Sequence, residues 1–398
     1  MTPSIRTAFN QSFSGERYQA YLEELNSVHP GDIVFRVAET PIFVDKAFTK
    51  KIIDACESIV DVIVQPGFNE LTAAAIPANA KVPGETPYSD FIAFDFGICI
   101  SDSGEYVPQL IEMQGFPSLF AYQVLHTEIT RKHFDIPANY DSYLGGYNKE
   151  SYVALLKDII LNKHQPENVI LLEIYPDEQK TRIDFRCTED YVGIATVCLT
   201  KVIAKGNSLF YEKDGGLVEI KRIYNRIIFD ELDKQDLPEG TIDIRKQAYD
   251  VEWCPHPDWF YRISKYTLPF IDSPYVPKTS FLNQLESIPA DLENYVLKPL
   301  FSFAGQGVII DVAPADVTNI TDPGNWILQR KVKYADVIQT PDIPAKAEIR
   351  VFYFWPHGAE RPVPTQNLAR LSKGKMIGVR YNADKEWVGG SLCFFEQE

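Results

Sequence analysis

Alternating apolar and polar positions predict a pair of strands in the first third of the chain. Over residues 91–117 (FIAFDFGICISDSGEYVPQLIEMQGFP) the alternation runs on both sides of the turn Asp102-Ser103-Gly104. Period-two geometry places Glu112 and Gln114 on one face, and a matched register adds Asp95 to that face. Two carboxylates and an amide oxygen are hard ligands that suit Mg²⁺. The alternative is a half-exposed hairpin whose polar residues simply face water.

Helical and strand patterns in the rest of the chain predict a mixed α/β (α+β) fold. Residues 49–63 carry apolar side chains at i, i+3 and i+4 spacings, which is typical of an amphipathic helix. Buried strands are predicted at 170–176 and 192–199 around a helical segment at 178–190, and this order indicates a βαβ unit with a parallel sheet. Further strands are predicted at 209–211, 218–229, 325–332, 347–355 and 368–382, and further helices at 18–25, 118–133 and 149–162.

Residues 296–312 (VLKPLFSFAGQGVIIDV) predict two short strands joined by a turn of small residues. Gly305 and Gly307 allow backbone N–H groups to lie against a ligand, and such exposed N–H groups suit phosphate oxygens. Lys298, at the end of the first strand, is placed to reach the same phosphates. The alternative is an ordinary hairpin with a surface lysine, because a lone glycine-rich turn is a weak motif. Neither a GxGxxG after the first strand of the βαβ unit nor a GxxxxGK[ST] occurs, so the sequence supports neither a Rossmann site nor a Walker loop.

Chain length, net charge and cysteine pattern limit the classes of protein and partner that the sequence fits. The chain has 398 residues, enough for two or three domains, and a formal net charge of −16. That charge argues against nucleic acid or an anionic membrane as a partner, since both require a positive surface, and any phosphate site must be a local basic pocket. The six cysteines are scattered without a CxxC pair, and the start MTPSIRTAFNQSF lacks a signal-peptide pattern. We therefore expect a cytoplasmic protein with reduced thiols.

The order of these motifs resembles the ATP-grasp superfamily. It is most similar to the circularly permuted branch that includes the synthetase domain of glutathionylspermidine synthase, where the metal-binding strand pair precedes the nucleotide-binding lobes. Phe94-Asp95-Phe96, Gly104 and Leu110-Ile111-Glu112-Met113-Gln114 resemble the family's Asp-Phe … Gly … Leu-Glu-x-Asn metal motif. Residues 256–271 (HPDWFYRISKYTLPFI) resemble the segment that carries the first ATP lysine, which points to Lys265. Leu297-Lys298-Pro299 resembles the second lysine, and Ile327-Leu328-Gln329 the strand that meets adenine.

The resemblance implies three regions and a set of site residues. An N-terminal region, 1–166, carries the strand pair at about 91–117; a βαβ domain follows at 167–252, and the nucleotide-binding lobes span 253–398. The implied Mg²⁺ ligands are Asp95, Glu112 and Gln114. The implied ATP contacts are Lys265, Lys298, Ser302, Ala304, Gly305, Gln306, Gly307 and Gln329.

The sequence departs from the family at two positions of the metal motif. Gln114 stands where the family has Asn, and Ala93 stands where glutathionylspermidine synthase has an Arg that stabilises charge during phosphoryl transfer. Arg350 and Arg370 are our candidates for that catalytic role, together with Arg380, and all three lie in predicted C-terminal strands. The alternative for each arginine is a charge that simply faces solvent.

The implied activity is that of an ATP- and Mg²⁺-dependent carboxylate–amine ligase, which forms an amide through an acyl phosphate. Its partners would be a small-molecule carboxylate and an amine, or a peptide. A second hypothesis follows from Ala93 and Gln114: a non-catalytic ATP-grasp-like protein that binds a nucleotide or a partner chain. A third hypothesis is an α/β protein of unrelated function. In that case the strand face with Asp95, Glu112 and Gln114 simply faces solvent and lies far from Lys298.

Overall fold

The computed structural model describes residues 2–232, 234–301, 306–374, 377, 382 and 384–397. The helices are α1 Pro3–Ser12, α2 Gly15–Val28, α3 Lys46–Ile63, α4 Phe68–Leu71, α5 Tyr122–His133, α6 Lys149–Leu161, α7 Arg182–Val192, α8 Phe229–Leu232, α9 Trp259–Arg262 and α10 Pro314–Thr318. The strands are β1 Ile42–Val44, β2 Phe91–Ile100, β3 Tyr106–Gln114, β4 Tyr140–Asp141, β5 Val169–Glu173, β6 Ala195–Cys198, β7 Ile203–Lys205, β8 Ser208–Lys213, β9 Gly216–Ile220, β10 Arg222–Asn225, β11 Glu252–Cys254, β12 Thr279–Phe281, β13 Tyr295–Pro299, β14 Trp326–Arg330, β15 Lys346–Phe354, β16 Val363–Ser372, β17 Gly389–Ser391 and β18 Cys393–Glu396. The mixed α/β class is therefore confirmed.

A five-stranded antiparallel sheet with the order β17-β16-β15-β2-β3 forms the centre of the molecule. The predicted pair β2–β3 is confirmed, and its register shifts between Asp95 and Phe96. The pair supplies two strands from the first predicted region, whereas β15, β16 and β17 come from the last. The sheet thus joins residues that lie about 250 positions apart in the chain.

Helix α3 covers one face of the central sheet. The predicted amphipathic pattern is confirmed, because Ile52, Cys56, Ile59, Val60 and Ile63 are buried in one cluster with the apolar residues of β2 and β15. The helix begins after Asp45, whose side chain accepts a hydrogen bond from the backbone N–H of Phe48. Since this face of the sheet is apolar, the charged residues of β2, β3, β15 and β16 lie on the opposite face.

A four-stranded parallel sheet, β11-β10-β5-β6, follows along the chain. Strands β5 and β6 flank α7, so the predicted βαβ unit is confirmed. Its strands are short apolar runs such as Val169–Glu173, all buried, as expected for a parallel sheet covered on both sides. A three-stranded meander, β7-β8-β9, extends from this unit.

A small antiparallel sheet, β12-β14-β13, carries Lys298. The predicted hairpin at 296–312 differs from the observed structure: β13 pairs along its length with β14, and the return segment forms a single β-bridge with β13, between Leu297 and Ile309. Their backbones exchange two hydrogen bonds of 2.9 Å. Strand β13 therefore has a partner on each edge, β14 along its length on one side and Ile309 at a bridge on the other.

A fifth sheet, β1-β18-β4, pairs residues 42–44 in parallel with residues 393–395. Among the residues that the structure describes, no helix combines the length and the apolar character needed to cross a membrane.

Candidate active site

The charged face of the central sheet brings Asp95 together with two arginines from distant strands. In the register of the sheet, Asp95 of β2 lies opposite Arg350 of β15, and Glu348 of β15 lies opposite Arg370 of β16. Arg350 donates to both carboxylate oxygens of Asp95, from Nε at 2.5 Å and from Nη2 at 2.6 Å. Arg370 donates from Nη2 to Oδ2 of the same carboxylate at 2.5 Å. Burial would raise the pKa of Asp95, but the two guanidinium groups outweigh it and hold the pKa below its usual value.

Glu348 and Tyr334 extend this network on the side of Arg370. Arg370 Nη2 lies 3.2 Å from Glu348 Oε2, and the Tyr334 hydroxyl donates to Glu348 Oε1 at 2.5 Å. The Tyr334 ring sits over Gly97, where a Cβ atom would come within 2.7 Å of it. Gly97 therefore opens the space that Tyr334 fills. Burial raises the pKa of Glu348, and Arg370 opposes this shift.

Ser118 links the arginine network to the parallel sheet. Its hydroxyl accepts a hydrogen bond from Arg350 Nη1 at 3.0 Å, and its backbone carbonyl accepts one from Arg226 Nη1 at 2.8 Å. Arg226 directly follows β10 and also pairs with the buried Asp184 of α7 at 2.8 Å. A continuous set of hydrogen bonds thus runs from α7 to the centre of the sheet.

Lys298 places a positive charge beside the acidic strand β3. Its ammonium group donates to the backbone carbonyl of Ile111 at 3.2 Å and to Gln329 Oε1 at 2.6 Å. The amide of Gln329 is fixed in turn, since Nε2 donates to Thr279 Oγ1 at 3.1 Å. The predicted adenine-contacting residue Gln329 is thus buried and orients the lysine in this structure. Its role toward adenine stays a prediction.

The second predicted lysine lies close to the first. Lys265 Nζ donates to the carbonyl of Pro299, one residue beyond Lys298, at 2.8 Å. Burial lowers the pKa of Lys298 to about 8; the carboxylate of Glu112 opposes this shift and the charge of Lys265 adds to it. The lysines and Glu112 are therefore within electrostatic range of one another, unlike the separated arrangement of the third hypothesis.

The three predicted metal ligands differ in whether their side chains are already bonded to other residues. Asp95, Glu112 and Gln114 share one sheet face, because Asp95 pairs with Glu112 and Ala93 with Gln114. No described residue forms a hydrogen bond or ion pair with the side chain of Glu112 or Gln114, whereas both oxygens of Asp95 are held by arginines. Glu112 and Gln114 therefore fit Mg²⁺, which commonly takes one or two protein oxygens together with phosphate oxygens. Asp95 would fit only after an arginine released it, so its role as a ligand stays a prediction.

The described residues contain no group of three or more His, Cys, Asp and Glu side chains arranged to hold a metal ion. Ser302, Ala304, Gly305 and Arg380 lie outside the described residues, so their predicted roles stay predictions. Gln306 and Gly307 are described and exposed. Gly307 has a φ of 74°, which favours glycine, and a Cβ there would lie 3.1 Å from Pro299 Cγ.

Sequence reasoning missed three residues of this site: Ser118, Tyr334 and Glu348. The alternation in AEIRVFYF would have placed Glu348 on the same strand face as Arg350. No local signal marks Ser118 or Tyr334, because each reaches the site from an irregular segment.

Comparison with known proteins adds evidence on the fold. No protein-family model matches the chain, and no curated protein sequence matches it. Among solved structures, a glutathione synthetase-like effector (GSS30) from Globodera pallida, in its apo form, is similar with a TM-score of 0.59. The similarity covers 97% of this chain and 98% of that chain. The fold is glutathione synthetase-like. At 11% sequence identity the similarity concerns the fold alone.

Proposed function

We propose that the protein is an ATP- and Mg²⁺-dependent carboxylate–amine ligase with a circularly permuted ATP-grasp-like arrangement. The observation that carries this proposal is the position of the Lys298 ammonium group, which contacts the backbone carbonyl of Ile111 beside Glu112. A triphosphate needs phosphate-binding cations and oxygen ligands for a metal at one place, and here they come from two separate sheets.

In the proposed reaction, a carboxylate oxygen attacks the γ-phosphorus of ATP and ADP leaves. The amine then displaces inorganic phosphate from the acyl phosphate, which gives the amide. Lys265 and Lys298 would bind phosphate oxygens as point charges, and Arg350 and Arg370 would stabilise the negative charge that is transferred. Glu112 and Gln114 would hold Mg²⁺, which when bound neutralises charge on the β- and γ-phosphates.

The first test is a calorimetric titration with a non-hydrolysable ATP analogue, with and without Mg²⁺. We expect Mg²⁺-dependent binding to the wild type and its loss in Lys298→Ala. Lys278→Ala is the matched control, since Lys278 is an exposed lysine 20 positions earlier in the chain. Absence of binding to the wild type would contradict the proposal, as would equal binding by both variants.

The pH dependence of that binding tests the role of Lys298 further. Its pKa is about 8 in the free protein, and bound phosphates favour the charged ammonium and raise that pKa. Binding then takes up a proton near pH 8, so affinity is full below pH 8 and falls as the pH rises above it. Calorimetry in buffers of different ionisation enthalpy measures the proton uptake. A constant affinity from pH 7 to 9.5 would contradict this role.

A second candidate function is a non-catalytic protein that binds nucleotide or a partner chain. The engagement of both Asp95 oxygens by arginines favours it, because this carboxylate is then withheld from a metal. The two functions differ in turnover. A ligase releases ADP when it is given the right carboxylate and amine, and Glu112→Gln abolishes this release while leaving the fold intact. A binding protein binds the ATP analogue but releases no ADP with any pair of substrates.

A further inference from the structure

A long loop, residues 77–88, lies across the segment 256–263, which leads from β11 to Lys265. We call the loop the strap and the segment beneath it the covered segment. The twelve described residues of the strap contain no helix or strand, and Ala80 and Val82 are its two buried residues. A loop with so few buried apolar contacts can open locally while the rest of the protein stays folded.

Side chains of the covered segment hold the strap in place. The guanidinium group of Arg262 donates two hydrogen bonds to the carboxylate of Glu85, one of them at 2.9 Å. The Trp259 indole N–H donates to the carbonyl of Thr86 at 3.1 Å. Arg262 also donates to Thr72 Oγ1, which lies before the strap, at 3.0 Å. The strap is therefore held by hydrogen bonds from side chains and not by strand pairing.

Two buried titratable groups, His256 and Asp258, lie at the centre of this contact, with side-chain exposures of 0%. Asp258 Oδ1 accepts a hydrogen bond from the Val82 N–H at 3.1 Å. His256 Nδ1 accepts one from the Asp258 N–H at 3.3 Å, so the ring proton is on Nε2, which donates to the Pro83 carbonyl at 3.3 Å. Burial lowers the pKa of His256 to about 4, and the ring therefore stays neutral above pH 5.

The second carboxylate oxygen of Asp258, Oδ2, is buried and has no hydrogen-bond partner among the described residues. The charged groups that face this carboxylate are Lys81 and Glu85 of the strap and Arg262 of the covered segment. Burial outweighs the attraction of the two cations and raises the pKa of Asp258 to about 6. Once ionised, Asp258 beneath a closed strap has an oxygen that only water could solvate.

We propose that the strap opens when Asp258 loses its proton, and that this opening loosens the covered segment that leads to Lys265. Water then reaches the ionised carboxylate and supplies the missing hydrogen bonds. Because the pKa of Asp258 is raised while the strap is closed, the closed form is most stable below the ordinary pKa of about 4. That stabilisation is lost as the pH rises through about 6.

The covered segment connects the strap to the candidate active site. The Gly115 N–H, directly after Gln114 at the end of β3, donates to the Ile263 carbonyl at 2.9 Å. A Cβ atom at Gly115 would lie 2.5 Å from the Trp259 carbonyl oxygen, so the two backbones are in direct contact. Lys265 follows Ile263 by two residues. The consequence for ATP binding rests on the proposed function, whereas the opening of the strap does not.

The test is hydrogen exchange of the whole protein from pH 5 to 8 without nucleotide, resolved to single amides by mass spectrometry and corrected for the intrinsic exchange rate at each pH. We expect the protection factor of the Val82 amide to fall about tenfold from pH 5 to 7 and then to level off, since opening returns the pKa of Asp258 from about 6 to about 4. The Gly115 amide should change in the same pH range.

Asp258→Asn keeps the Oδ1 acceptor for Val82 but cannot ionise, so both amides should lose their pH dependence. Asp90→Asn is the matched control: Asp90 is also buried and has a pKa of about 6, but its charged neighbour is Arg222. This variant should keep the profile of the wild type.

A constant protection factor for Val82 in the wild type would overturn the proposal, whatever the variants do. An equal loss of pH dependence in both variants would overturn it too, because Asp258 would not be the group that titrates. A change at Val82 without one at Gly115 would refute the connection to Lys265. If the expected profile is found in a protein that binds no ATP analogue, the strap is supported and the proposed function fails.

Discussion

Two buried aspartates hold arginines in this protein, and they do so in opposite settings. Asp184 and its partner Arg226 are both enclosed, with side-chain exposures of 0% and 5%. Asp95 is equally buried at 2%, but its partners Arg350 and Arg370 are 11% and 36% exposed. The first pair is closed on all sides, whereas the second opens toward solvent through its arginines.

The partners of each carboxylate explain what each pair does. Asp184 Oδ1 also accepts backbone hydrogen bonds from Ala121 and Tyr122, so it fixes the beginning of α5. Burial raises the pKa of Asp184, although Arg226 opposes the shift. At Asp95, by contrast, two arginines outweigh the effect of burial and lower the pKa. An enclosed pair serves the fold, and a pair with accessible guanidinium groups is available to an anionic ligand.

The largest effect is expected on removing Asp184. Asp184→Ala leaves the Arg226 charge buried without its partner, so we expect the free energy of unfolding to fall by about 3–5 kcal/mol. Urea denaturation measures it. Asp177→Ala removes one of three carboxylates that contact the more exposed Arg186 and should cost less than about 1 kcal/mol. If Asp184→Ala lowered the free energy of unfolding as little as Asp177→Ala does, the enclosed pair of Asp184 and Arg226 would stabilise the protein no more than an exposed ion pair.

Asp95→Asn should destabilise the protein less than Asp184→Ala does. The substitution removes the charge-assisted hydrogen bonds from Arg350 and Arg370, but both arginines can be hydrated through their exposed sides. We expect a loss of about 1–3 kcal/mol, measured by the same denaturation experiment. Asp184→Asn, the matched change at the enclosed pair, should cost more. A larger loss at Asp95 would contradict the distinction between open and closed pairs.

The two aspartates should affect acid stability with opposite signs. The pKa of Asp95 is lowered in the folded protein, so its stabilisation is present above the unfolded pKa and is lost as the pH falls through the folded value. The pKa of Asp184 is raised, so its folded form binds a proton first on acidification, which favours the folded state. Between pH 5 and 3, Asp95→Asn should therefore flatten the acid loss of stability and Asp184→Asn should steepen it.

Each carboxylate can change the slope of stability against pH by at most about 1.4 kcal/mol per pH unit, because one proton is involved. Denaturation midpoints at several pH values for the wild type and the two Asn variants provide the measurement. If both Asn variants changed the slope of stability against pH in the same direction, the two pairs would not differ in their effect on acid stability.

The smallest effect is expected at Ser118, which connects the two pairs. Ser118→Ala removes the hydrogen bond from Arg350 but keeps the backbone carbonyl that Arg226 uses, so we expect a loss of about 0.5–1.5 kcal/mol. A double-mutant cycle with Asp95→Asn should show coupling, since both residues hold Arg350. A cycle with Asp184→Asn should be nearer to additive. Equal coupling energies in the two cycles would contradict the inference that Arg226 uses the backbone carbonyl of Ser118 independently of its hydroxyl.

Local patterns in the sequence predicted the elements that depend on short-range periodicity. The alternation in β2 and β3 placed Asp95, Glu112 and Gln114 on one face, and the spacing in α3 identified the side that packs on the sheet. The βαβ unit was equally visible, because parallel strands are short apolar runs. In each case the information lies within about 20 residues of chain.

The pairing of Asp95 with Arg350 and Arg370 was beyond the reach of such patterns. The partners are 255 and 275 positions away, and only the register of β15 and β16 in the central sheet decides which charges meet. The arginines were predicted as charge stabilisers for a ligand, not as partners of the expected metal ligand. The pairing of β13 with β14 on one edge and with Ile309 on the other was likewise not visible in residues 296–312, because β14 lies outside that segment.

The position of β2 between β3 and β15 has a consequence for biosynthesis. At a typical translation rate of about 5–20 residues per second, the ribosome needs roughly 13–50 s to advance from Asp95 to Arg350. During that time the nascent hairpin exposes an apolar strand edge and an aspartate destined for burial, and such edges recruit other chains. A molecular chaperone that shields residues 91–100 would have its greatest influence in this interval, and a pause upstream of β15 would lengthen the exposure.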